Sequence, residues 1–146
     1  MPLLKERNHP VIIGVGQITH RKKIEGNSLS AADLAVMAID DCVLNTGQPD
    51  IRPLIDSISV VNIISEFRES PVEKICVKAG ISPTVREETA MGGNNPQLLV
   101  NRAAEKIMAG ERKICLLVGA EALYRDQNVW DFIDFESHFR RMKKIL

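Results

Sequence analysis

Gly92-Gly93-Asn94-Asn95-Pro96-Gln97-Leu98-Leu99-Val100-Asn101, continued to Gly110 and followed by Lys113-Ile114-Cys115-Leu116-Leu117-Val118-Gly119-Ala120, is the stretch whose reading decides the fold. A glycine turn runs into asparagine, a good helix N-cap, and proline takes the first helical position, where its missing N–H costs nothing. Leu99, Val100, Ala103, Ala104, Ile107 and Met108 then recur at helical spacing until Gly110 stops them. Lys113 to Ala120 is the most apolar run of the chain and reads as a strand covered on both faces. A capped helix delivering the chain into such a strand is one half of a βαβ unit.

The same grammar extends towards the N-terminus. Val11-Ile12-Ile13-Gly14-Val15-Gly16 is β-branched, follows Pro10 and ends in glycine, which predicts a buried strand. Ser30 with Asp33 three residues on predicts a capping box for a helix to about Asn45, with Ala35, Ile39, Cys42 and Val43 on its apolar stripe. Ile55 to Ile63 predicts a second strand. Ser70-Pro71-Val72-Glu73 predicts another capping box, opening a short helix that ends at Gly80. Arg86 to Met91 offers a weaker strand among charged neighbours. The alternation of strand and helix predicts an α/β domain with a mostly parallel sheet flanked by helices and right-handed crossovers. Val11–Val15 and Ile114–Val118, as continuous apolar runs, are expected at the centre of that sheet.

Two units follow from composition, a domain over 1–124 and a tail over 125–146. Trp130, Phe132, Phe135 and Phe139 place four of the six aromatic residues in the tail, and with Val129, Met142 and Leu146 they predict an amphipathic C-terminal helix. In the 146-residue chain, 19 basic residues balance 19 acidic ones, so no basic field collects nucleic acid. Arg21, Lys22 and Lys23 read as a solvated loop. No apolar run reaches the roughly 18 residues of a membrane span, and the first ten residues lack the apolar core of a signal peptide, which points to the cytoplasm and to no membrane partner. Cys42, Cys76 and Cys115 are widely separated, lack metal-ligand spacing and read as core thiols, so no metal is expected. His9, His20 and His138 sit in polar surroundings and read as surface residues.

Gly14-Val15-Gly16 lacks the third glycine and the close helix start of a dinucleotide-binding turn, and a plain strand end accounts for it. The candidate site is therefore Gly92, Gly93, Asn94 and Asn95. A glycine turn at a helix start presents backbone N–H groups and a positive dipole end, where an anion or a developing oxyanion can sit. A well-capped helix explains Asn95 and Pro96 equally well, and both readings stand on the residues alone.

Taken together, Val11 to Thr19, Ile55-Asp56-Ser57 leading to Asn62, Gly92 to Asn101, Ala109-Gly110-Glu111 and Val118-Gly119-Ala120-Glu121-Ala122 resemble the N-terminal half of thiolase-like acetyl-CoA acetyltransferases, in the branch of the sterol-carrier-protein thiolases. The resemblance covers about Pro10 to Tyr124 and implies a thiolase-like half-domain, normally followed by a similar second half. It also implies acyl transfer between coenzyme A thioesters in lipid metabolism, with the thioester as substrate and no covalently bound cofactor. In such enzymes the nucleophilic cysteine opens the third helix. Here that position falls on Asn94 or Asn95, neither of which can form a thioester. The catalytic histidine and second cysteine of the family lie in the half that is not present. The chain alone is thus expected to be inactive, either as the N-terminal half of an acyltransferase or as a non-catalytic association module. Its expected partners are a second copy in a homodimer or a complementary C-terminal half.

Overall fold

The computed structural model describes residues 8–20, 29–66, 70–90 and 92–123. The amphipathic helix expected in the 125–146 tail, His138 and the basic run Arg21–Lys23 lie outside them.

Among the described residues three α-helices and three strands alternate: α1 (Ala31–Asn45), β1 (Ser57–Val60), α2 (Pro71–Ala79), β2 (Val85–Glu88), α3 (Asn95–Met108) and β3 (Cys115–Val118). Short 3-10 turns at Pro49–Leu54 and Ile64–Glu66 flank β1. The strands form one parallel sheet in the order β2-β1-β3, with Ser57 level with Val85 on one side and with Cys115 on the other. The expected α/β class and the parallel sheet are present, and the weakly signalled strand near Arg86 exists as an edge strand.

Side-chain alternation along β1 divides the sheet into two unlike faces. Ile58 and Val60 are fully buried and join Ala31, Ala32, Ala35, Ile39 and Val43 of α1, Val72, Ile75, Cys76 and Ala79 of α2, and Val118 of β3 in one apolar cluster. The opposite face is mixed, Ser57 and Ser59 of β1 standing level with Val85 and Glu87 of β2 and with Cys115 and Leu117 of β3. Ser59 Oγ donates to Glu87 of β2 at 3.3 Å, and Arg102 of α3 donates to the same carboxylate at 3.1 Å. Leu99, 2% exposed, is buried on α3 but stands outside the main cluster.

The helix ends are tied by charge. The capping box at Ser30 forms as expected: Asp33 N–H donates to Ser30 Oγ at 3.1 Å, and the Ser30 N–H donates to Asp33 at 2.9 Å. Lys78 of α2 reaches the other Asp33 oxygen at 2.7 Å, joining the start of α1 to the end of α2. Arg52 bonds the Ala79 carbonyl at 2.7 Å and pairs with Asp40. The second expected capping box does not form. Glu73 is drawn to Arg86, while Ser70 Oγ and the Val72 N–H both donate to Glu88 of β2, at 2.6 and 3.1 Å. A carboxylate distant in sequence does the capping because the parallel crossover brings the end of β2 to the start of α2. Gly80 closes α2 in the left-handed region, φ 64°, where glycine escapes the Cβ clash.

The hydrogen bonds from Lys78 and Ser30 hold the Asp33 carboxyl well below the usual carboxylate range. A depressed folded pKa adds stability that is complete above the unfolded value near 3.8 and is lost as pH falls below it. Asp33→Asn is expected to cost about 1 kcal/mol at pH 7, the scale of a capping interaction. The wild-type advantage should shrink between pH 4 and pH 2, which urea unfolding at several pH values checks.

The expected centre of the sheet is also overturned. Val11–Gly16 is not in the sheet, the Ile114–Val118 run supplies β3 at one edge rather than the centre, and the central strand is Ser57–Val60. The segment runs along α1, with Val11, Ile12, Ile13 and Val15 exposed by 72, 82, 50 and 63%. Two features of α1 hold it there. The Val15 N–H donates to Asn45 at 3.0 Å and the Gln17 N–H to Asp41 at 3.1 Å. Four helical residues rise about 6 Å and two extended residues about 6.6 Å, so alternate amides of the segment match carboxyl or amide side chains one helical turn apart. Between those contacts Gly14 and Gly16 press on the helix itself. A Cβ at Gly16 would lie 2.1 Å from the Ala38 carbonyl oxygen, and one at Gly14 would lie 2.8 Å from that of Cys42. The helix thus supplies partners that a neighbouring strand would otherwise provide.

Candidate functional site

In a parallel sheet the carboxyl ends of the strands are where connecting loops gather, and ligands of open α/β sheets bind there. Here that edge holds the loop after β1 (Val61 to Glu66), the chain from Thr89 into α3, and Gly119 to Ala122 after β3. The four predicted site residues lie on it, in one turn at the start of α3.

Within that turn the Asn95 N–H donates to the Gly92 carbonyl at 3.2 Å, and the Leu98 N–H to the Asn94 carbonyl at 3.1 Å. The expected asparagine cap is corrected in detail. α3 begins at Asn95 rather than Pro96, and the Asn94 side chain makes no capping bond. Asn94 already has helical backbone angles, φ −88° and ψ −7°, which carry its side chain away from the N–H groups an N-cap serves. Asn95 is 9% exposed and turns inward, its Nδ2 donating to the Ala90 carbonyl. Gly93 faces open space, and a Cβ there would meet nothing within 4 Å.

Three groups of hydrogen bonds, joined by short stretches of backbone, cross the carboxyl ends. The Glu121 carboxylate accepts the Ile64 N–H at 3.0 Å through one oxygen, and the Ser65 and Ala122 N–H groups at 3.1 and 3.0 Å through the other. Ser65 Oγ also accepts the Ala122 N–H at 3.2 Å. Three residues back, the Asn62 N–H donates to Thr89 Oγ1 at 3.1 Å, and the Thr89 N–H returns to the Val60 carbonyl at 3.0 Å. Thr89 adjoins Ala90, whose carbonyl holds Asn95. Sequence reading missed Glu121, Asn62 and Thr89 as parts of the site. Glu121 lay within a recognised motif, Val118 to Ala122, but its partners Ile64 and Ser65 are more than fifty residues away and no local spacing announces them.

The cysteines are placed apart from this turn. Cys76 lies inside α2, 1% exposed, and burial pushes its thiol up. Cys42, on α1, is half-buried rather than core, its thiol pushed up by burial and then by Asp41. Cys115 opens β3 and is also half-buried. None stands at a helix N-terminus, where a thiolate is favoured. A cleft of about 230 Å³ lies between α1, the glycine segment and β3, lined by Gly14, Gly16, Ala38, Cys42 and Leu117 among others, and Gly92–Asn95 are not part of it. Among the described residues no group of three His, Cys, Asp or Glu side chains is placed to hold a metal ion, and no helix is long and apolar enough to cross a membrane.

The fold has counterparts among solved structures. A monomeric SCP2-thiolase like protein type 1 from Mycobacterium smegmatis superposes with a TM-score of 0.69 at 27% identity, over 80% of this chain and 24% of that one. The 3-oxoacyl-[acyl-carrier-protein] synthase III of Aquifex aeolicus VF5 superposes with a TM-score of 0.56 at 15% identity, over 75% of this chain and 35% of that one. The chain therefore spans about a quarter of the length of the mycobacterial protein. No family model matches the sequence, and no curated protein matches it. The resemblance to thiolase-like proteins read from the sequence is shown, as is the thiolase-like fold.

Proposed function

We propose that this chain is a thiolase-like N-terminal half that binds an acyl thioester of coenzyme A in the manner of acetyl-CoA acetyltransferases but does not by itself transfer the acyl group. The observation that carries this reading is the amide at the start of α3. Claisen-type acyl transfer between thioesters needs a thiolate to take the acyl group, form a thioester and release coenzyme A. The Asn95 amide nitrogen is not a nucleophile, and its side chain is turned inward to Ala90. What the turn retains is a place for an oxygen that carries negative charge. At the start of α3 the Asn95 and Leu98 N–H groups are bonded to the Gly92 and Asn94 carbonyls and Pro96 has none, which leaves the Gln97 N–H, backed by the dipole of the fourteen-residue helix, as the donor towards a thioester carbonyl or a phosphate. Cytoplasmic fatty-acyl metabolism is the setting this reading implies.

Titration of the chain with acetyl-CoA, followed by amide NMR, tests the reading. The expected result is saturable shifts at Gly92, Gly93 and Asn94 without release of free coenzyme A. Absence of any shift at millimolar acetyl-CoA would overturn it.

A second reading, a non-catalytic association module, is favoured by exposed apolar side chains on α3. Leu98, Val100 and Met108 are exposed by 37, 44 and 51%, while the helix charges Arg102 and Lys106 are engaged with Glu87 and Glu111. A homodimer or a complementary thiolase C-terminal half would cover these side chains. Sedimentation separates the two readings: association abolished by Val100→Asp, with acetyl-CoA shifts absent, supports the module.

A further inference from the structure

We propose that Glu121 is a positioning residue for the Gly92–Asn95 turn, acting across the sheet through the loop after β1. The proposal rests on the reading of that turn as a thioester site. The chain of contacts has four links. Glu121 holds the Ile64 and Ser65 amides with both carboxylate oxygens. The same loop presents the Asn62 N–H to Thr89 Oγ1. Thr89 is fixed to Val60 of the central strand by its own N–H, and Ala90, the next residue, receives the Asn95 side chain. Bonds from a carboxylate to backbone N–H groups are charge-assisted and stronger than neutral ones. A single carboxylate taking three of them fixes where the loop stands relative to the end of β3. The loop in turn sets the height of Thr89, and with it the carbonyl that aims Asn95 and the turn it closes.

A purely local role for Glu121, pinning a 3-10 turn to the end of β3, would stop at Ser65. The two possibilities differ in reach, and Thr89 is where the belt can be cut. Thr89→Val removes the oxygen that accepts the Asn62 N–H and preserves shape.

Amide NMR on the full chain, with acetyl-CoA as the probe ligand, provides the test. Glu121→Ala is expected to shift the amides of Asn62, Ile64 and Ser65 and also those of Gly92 to Asn95, and to weaken acetyl-CoA binding about tenfold, within the usual range of coupling between sites. Glu121→Gln, which keeps one acceptor oxygen and the size of the side chain, should restore part of both effects and covers the case in which the alanine variant fails to fold. In the Thr89→Val background, the same Glu121 substitutions should leave Gly92 to Asn95 unmoved. Shifts confined to Ile64, Ser65 and Ala122, or equal shifts at Gly92 to Asn95 with and without Thr89, would overturn the proposal. If the wild-type chain does not bind acetyl-CoA, the functional reading fails while the ligand-free shifts still decide the role of Glu121.

Discussion

Gly16→Ala is expected to destabilise the chain by about 3 kcal/mol, the upper range for forcing an extra carbon into a packed site. The new Cβ would lie 2.1 Å from the Ala38 carbonyl oxygen and 2.5 Å from the Cys42 amide nitrogen. Both are backbone atoms of α1, so no rotamer change relieves the overlap. Either the helix distorts or the segment lifts, losing the bonds from the Val15 and Gln17 N–H groups to Asn45 and Asp41. Gly93→Ala is the control, because a Cβ there meets open space and should change stability by less than about 0.5 kcal/mol. Urea unfolding measures both, and alkylation of Cys42 should accelerate in Gly16→Ala as its cover is removed. Equal stability of the two variants would show that the segment does not rest on α1.

Ile58→Ala should cost about 3–4 kcal/mol, within the range for removing a fully buried branched side chain and leaving a cavity. Ile58 is 0% exposed on the central strand, in the same apolar cluster as residues of α1 and α2. Ile13→Ala should cost less than about 1 kcal/mol, since Ile13 is already 50% exposed. The pair discriminates between two sheets. If Val11–Val15 were a central strand, Ile13 would be the costly position, and unfolding midpoints with unchanged denaturant slopes would show it.

That contrast also shows where the sequence was legible. Ile55 to Ile63 and Lys113 to Ala120 announced β1 and β3 because buried parallel strands need continuous β-branched or apolar runs. Ser30 with Asp33, and Gly80, announced helix ends because those bonds are local. Val11–Gly16 carries the same composition as a buried strand, and nothing local says whether its partner is a strand or the side of a helix. Gly14 and Gly16 read as a plain strand end, and only the fold shows that they let the backbone approach α1. Capping at α2 failed for the same reason. Glu73 has the right spacing from Ser70, yet Arg86 takes it, and Glu88 arrives from the neighbouring strand. At the site, the glycine and asparagine residues were legible as a turn into a helix. The inward aim of Asn95 and the contacts of Glu121 depend on tertiary neighbours.

The proposed acyl handling without acyl transfer turns on chemistry that this chain carries in only three places. Cys42, Cys76 and Cys115 are the available thiols; burial raises the first two, and the position that opens α3 is an amide. The most direct measurement is the intact mass of the protein after incubation with acetyl-CoA at neutral pH, with peptide mapping of all three cysteines. An unchanged mass is expected in a sample whose Gly92, Gly93 and Asn94 amides respond to the same ligand. Stoichiometric acetylation of Cys42, Cys76 or Cys115 would contradict it.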